Sequence, residues 1–121
     1  MAEFHQGMVE GNEKKREELK GKVIVLPDLV QYAEGTVASR MVINRNAGSV
    51  TIFSFDENEG LSEHTAPFDA LVTILEGDCE VWVAGKTYPM KTGETIIFPA
   101  GVPHALSAIT RFKMCLVMIK E

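Results

Sequence analysis

From Gly21 to the end of the chain, the sequence predicts an all-β domain whose strands close into a sandwich or barrel. Three observations predict it. Short runs rich in β-branched and aromatic residues recur at regular spacing, turn residues separate them, and no helical period appears after Gly21. The chain has 121 residues, which suits one domain, and a domain of that size buries roughly two-thirds of its unfolded surface. A core can therefore form without disulfides or a structural metal.

Residues 1–20 read as a separate segment, flexible or partly helical. Glu13-Lys14-Lys15-Arg16-Glu17-Glu18 is a mixed charge run with few apolar neighbours, and Glu10 and Lys14 make a helix-supporting i,i+4 pair. His5 lies in this segment and is assigned no chemistry. From residue 21 the predicted strands are Val23–Leu26, Ala38–Ile43, Val50–Phe55, Leu71–Leu75, Cys79–Val83, Thr87–Pro89, Thr95–Phe98, Ala105–Ile109 and Phe112–Ile119. Gly, Pro, Asn and Asp punctuate them, as in Glu76-Gly77-Asp78, Ala84-Gly85-Lys86 and Pro99–Pro103. Gly77 and Gly85 suit turns that need positive φ.

Period-2 alternation assigns faces. In the last strand Lys113 is expected in water, which turns Phe112, Met114, Leu116 and Met118 inward together. Cys115 then faces outward, toward a second sheet or a second subunit. His104 shares parity with Leu106 and Ala108, and His64 with Ser62 and Ala66. Both histidines therefore project from strand-like segments toward a face lined by small or apolar groups.

Composition excludes several function classes. Twelve basic against seventeen acidic residues leave a net charge of −5, the wrong sign for a phosphate backbone or an anionic membrane surface. No stretch approaches the roughly 20 apolar residues of a bilayer span, and Met1–Asn12 has no apolar signal core, so a cytoplasmic location is expected. Cys79 and Cys115 lack CxxC spacing and read as small buried hydrophobes. Asp56-Glu57-Asn58-Glu59 lacks EF-hand spacing and reads as a solvated turn. No Ser sits in a nucleophile-elbow setting, and there is no phosphate-cradling glycine loop.

Two linked motifs are present. His64-Thr65-Ala66-Pro67-Phe68-Asp69-Ala70 is followed after six residues by Gly77, and Gly93, Pro99, Gly101, His104 and Ala108 follow fifteen residues later. These spacings resemble the cupin superfamily, in its small single-domain form. The resemblance covers roughly the last hundred residues and implies a double-sheet jelly roll, or double-stranded β-helix, over residues 21–121. It also implies a homodimer, since similar small cupins dimerise, and Val23–Leu26 is a candidate to pair with a partner's sheet edge.

In that superfamily two His and a Glu of the first motif, with the His of the second, bind a divalent metal. Here only His64 and His104 fill those slots, and Ala66 and Ala70 replace the others. Asp69 and Glu63 lie beside the slots but alternate to the opposite face unless a bulge turns one inward. The first functional expectation is therefore a cupin that holds a small molecule in an apolar pocket, with no cofactor required. Its pocket residues are His64, His104, Phe68, Phe112, Met114 and Met118. The alternative is a metal-dependent dioxygenase or isomerase with iron, nickel, manganese or zinc on His64 and His104. A sensor module, and a metal-free isomerase with His104 as base, are further classes that no second residue supports. No catalytic residue is assigned, and no nucleic-acid or membrane partner is expected.

Overall fold

The computed structural model describes residues 13–121. His5 and Glu10 lie outside the described residues. A short helix, α1 (Glu13–Glu17), and a 3-10 turn (Leu26–Leu29) precede the strands β1 (Val37–Arg45), β2 (Gly48–Phe55), β3 (Gly60–His64), β4 (Asp69–Glu76), β5 (Asp78–Val83), β6 (Lys86–Lys91), β7 (Thr95–Phe98), β8 (His104–Ala108) and β9 (Phe112–Ile119). The strands form one sheet in the order β1-β2-β9-β4-β7 and another in the order β3-β8-β5-β6. Every pairing is antiparallel. The two sheets face each other as a jelly roll.

Alternation along β9 builds the core between them. Phe112, Met114, Leu116 and Met118 point inward and are buried, as the sequence predicts. Phe112 and Met114 lie opposite Phe55 and Phe53 of β2, while Met114, Leu116 and Met118 lie opposite Ile74, Val72 and Ala70 of β4. Phe112 and Phe55 stack with ring centroids 4.5 Å apart. Cys79 sits in this core, where burial first and then neighbouring Asp78 push its thiol pKa up to about 12. Both cysteines are free thiols.

The outer face of the larger sheet departs from expectation in three places. Lys113 is not in water but buried, at 6% exposure; its Nζ donates to the Pro27 carbonyl at 2.7 Å and lies 4.8 Å from the Tyr32 ring centroid. Cys115 does face outward, but it packs against Ile52 and the chain's own Leu26, Leu29 and Val30. Val23–Leu26 forms no strand. Leu26–Leu29 is a 3-10 turn, because Pro27 fixes φ and has no N–H to give a ladder. Residues 26–32 instead lie as a strap over the sheet. Ser54 Oγ donates to the Gln31 carbonyl at 2.9 Å, and the Tyr32 hydroxyl donates to Glu76 at 2.7 Å. Alternation alone cannot anticipate a strap that buries the second face.

One strand carries almost no sequence signal. β3 reads Gly-Leu-Ser-Glu-His, without a β-branched or aromatic residue. Its pairing with β8 holds it, and Gly60 approaches the Leu106 carbonyl so closely that a Cβ there would overlap it. Gly77, at φ +79°, makes the β4–β5 turn against the Arg111 carbonyl and likewise leaves no room for a side chain. Asp56 is a turn cap: its carboxylate accepts the backbone N–H of Gly35 and of Glu57 and pairs with Arg111 at 3.2 Å.

Candidate functional site

The site starts from the Pro99–Pro103 bend. Gly101 takes φ +78°, Val102 N–H donates to the Pro99 carbonyl, and Ala84 N–H donates to the Pro103 carbonyl. This rigid turn ends at His104, the first residue of β8. His64 ends β3 and lies directly opposite His104 in the β3–β8 ladder. A register shift between Leu61 and His64 adjusts the strand so that both rings fall on its inner side.

The two imidazoles meet. His64 Nε2 and His104 Nε2 are 3.1 Å apart, and the rings stand at 73° with centroids 4.4 Å apart. Each Nδ1 is held by a backbone carbonyl two residues back, Ser62 O at 2.7 Å for His64 and Val102 O at 3.0 Å for His104. Phe98, from the end of β7 in the other sheet, stacks on His104 with centroids 4.3 Å apart and planes 15° off parallel. His104 is 3% exposed. Burial holds its pKa below the ordinary histidine range, partly opposed by the bond to Val102 and reinforced by nearby His64.

The rings border a hollow whose other walls are Leu61, Ala66, Ala70, Val72, Phe98, Ala105, Leu106, Met114, Leu116 and Met118. The space inside that a solvent-sized centre can reach is about 20 Å³, roughly one water's worth. Of the six pocket residues expected from sequence, His64, His104, Met114 and Met118 border this hollow. Phe112 lies elsewhere in the core, stacked on Phe55. Phe68 packs at the margin of the core and lines a separate surface recess with Pro67, Asp69, Ala100 and Lys120. Sequence reasoning missed Phe98. Its signal was its β-ladder position opposite Ala70, which only the strand pairing reveals.

Among the described residues no acid joins the histidines. Glu63 is exposed despite the register shift, and Asp69 points to the loop, where its carboxylate accepts Ala100 N–H at 2.9 Å. Gly101 N–H donates to the Ala66 carbonyl at 2.7 Å, so the β3–β4 connection and the first residue of β4 are each tied to the proline bend. Among the described residues no group of three or more His, Cys, Asp or Glu comes together.

The model for the cupin domain family matches residues 51–120, more than half of the chain. The chain belongs to the cupin family. Among solved structures, this cupin is 39% identical to a protein of unknown function from Streptococcus pyogenes, covering 84% of this chain and 89% of that one at a TM-score of 0.79. A cupin 2 conserved barrel domain protein from Leptotrichia buccalis is 40% identical over 78% of this chain and 46% of its own, so the present chain spans under half of that protein (TM-score 0.76). A cupin superfamily protein from Desulfitobacterium hafniense, 24% identical over 84% of this chain and 94% of its own at a TM-score of 0.80, shares the fold. No curated protein matches the sequence. Among the described residues no helix is long and apolar enough to cross a membrane.

Many cupins hold a metal at this position, and an ion there makes definite demands on the donor set. Two features favour an ion: nitrogens 3.1 Å apart suit neighbouring ligands at about 2.1 Å from a common centre, and each Nδ1 is held by a backbone carbonyl, which turns its Nε2 toward such a centre. The rest opposes it. Two neutral imidazoles bring no negative charge, three or four protein ligands are the norm, and the adjoining walls Ala66, Ala70 and Phe98 offer no donor. The described residues do not fit a resident divalent ion.

Proposed function

We propose that this cupin binds a small molecule with an apolar body in the hollow between His64, His104 and the inner faces of β4 and β9. The observation that carries the reading is the convergence of two Nε2 atoms, 3.1 Å apart, into a space otherwise walled by aliphatic, thioether and phenyl groups. The apolar walls supply affinity and the imidazoles supply orientation. Met114 and Met118, both unbranched and soft, are the walls that can rotate to admit a ligand larger than the closed space. A ring-sized ligand that buries about 200 Å² of apolar surface gains about 5 kcal/mol, with about 1 kcal/mol more from a hydrogen bond. That places the dissociation constant between about 10 µM and 1 mM.

The experiment is calorimetric titration with a panel of small aromatic and aliphatic compounds to about 10 mM, beside native mass spectrometry of the freshly purified chain. Binding that His64→Ala and His104→Ala each weaken supports the reading; no binding by any compound overturns it. Elemental analysis of protein purified without chelators belongs to the same test. Metal below about 0.1 per chain, the level of adventitious binding, is expected. Near-stoichiometric metal that is lost in His64→Ala would instead favour a metal-dependent enzyme.

A further inference from the structure

The histidine pair is one proton short. Three polar contacts hold the two rings: His64 Nδ1 to Ser62 O, His104 Nδ1 to Val102 O, and Nε2 to Nε2. A carbonyl oxygen only accepts, so each Nδ1 must carry a hydrogen. Two neutral imidazoles own two N–H groups in all, and both are spent on the carbonyls. The Nε2 atoms then face each other as two bare lone pairs, with no donor between them.

Nothing in the walls corrects this. Apart from the two rings, every described side chain bordering the hollow is Ala, Leu, Val, Phe or Met, and none of these donates a hydrogen bond. Among the described residues no carboxylate borders it either. Burial opposes a charge on His104. No described residue of the chain therefore supplies the missing hydrogen.

We infer that the ligand of this pocket is a hydrogen-bond donor, an uncharged O–H or N–H compound on an apolar body and not an anion, which gives its hydrogen to the paired Nε2 atoms of His64 and His104. This rests on the small-molecule reading above and names its ligand class. A carboxylate or phosphate would add lone pairs to lone pairs and lose its hydration against aliphatic walls. An ether or hydrocarbon of equal shape fills the space but leaves both nitrogens unmatched.

The test compares four probes of similar size at pH 8 by calorimetry or NMR titration: phenol, anisole, toluene and benzoate. Phenol is expected to bind about tenfold tighter than anisole or toluene, with benzoate weakest. His64→Leu is expected to remove most of phenol's advantage over toluene. Equal binding of phenol and toluene, or benzoate binding best, overturns this inference and leaves the small-molecule reading standing. Binding of none of the four up to 10 mM overturns both. A second measurement needs no ligand and no variant: the side-chain nitrogen shifts of both rings at pH 8. Both are expected to report Nδ1–H with bare Nε2, and a ring that carries its hydrogen on Nε2 overturns the inference.

Discussion

Phe98 lies flat against His104, ring on ring at 4.3 Å, although the two residues belong to different sheets. The stack locks the imidazole from one side while Val102 O locks its Nδ1. Phe98 is itself 4% exposed, so it is both a core residue and the backing of the site. Truncation to Ala removes a buried ring and leaves His104 free to turn.

Phe98→Ala is expected to cost about 3–4 kcal/mol in urea unfolding, at the scale of buried phenylalanine truncations. Phe98→Leu retains most of the volume and is expected to cost less than half as much, while still weakening ligand binding several-fold. Unchanged binding in Phe98→Leu would show that the stack does not position His104.

Lys113 anchors the strap. Its Nζ donates to Pro27 O and sits 3.9 Å from Glu76, whose carboxylate also accepts from the Tyr32 hydroxyl. Lys113→Met keeps the buried stem but removes the charged donor, so a loss of about 2 kcal/mol is expected. Amides of residues 26–32 should exchange faster in this variant while those of β4 and β9 do not. A loss below about 0.5 kcal/mol would mean that the strap is held by Leu26, Leu29 and Val30 alone.

The buried His104 sets a pH dependence. Its folded pKa lies below the ordinary value, so the unfolded chain takes up that proton first as pH falls. The stabilisation is complete above about pH 7 and is lost as pH drops through about 6.5 toward the lower folded pKa. The slope from this residue cannot exceed about 1.4 kcal/mol per pH unit. Urea midpoints between pH 8 and pH 5 should fall for the parent chain and fall less for His104→Gln; parallel profiles would reject this assignment.

A self-associating face is expected on the larger sheet. Leu71 of β4 pairs across the ladder with Ile97 of β7 and with Val117 of β9, and Ile119 lies one step further along β9. Ile97 and Ile119 are more than half exposed. Covering such a face with a second copy removes aliphatic surface from water. Light scattering at micromolar concentration is expected to give twice the chain mass, and Ile97→Lys with Leu71→Lys to give the monomer. A parent chain that is already monomeric would refute the dimer.

The residues that alternate strictly were readable in advance. Phe112, Met114, Leu116 and Met118 shared a face because a strand's period is two, and the proline bend before His104 was plain from Pro99, Gly101 and Pro103. Val23–Leu26 and Lys113 were misjudged for one shared reason. Their environment is made by a strap whose docking depends on residues some 86 positions apart in sequence, as in the bond from Lys113 to Pro27.

By itself, then, the sequence determined the jelly roll, the inward face of the last strand and the presence of two histidines without an acidic companion. Those properties follow from local periodicity, turn chemistry and motif spacing. Only the tertiary structure decided that the Nε2 atoms face each other at 3.1 Å, that Phe98 backs one of them, and that the hollow beside them is nearly closed. Each of these depends on the register of β3 on β8 and of β7 on β4, and register is set by long-range packing that no window of the sequence contains.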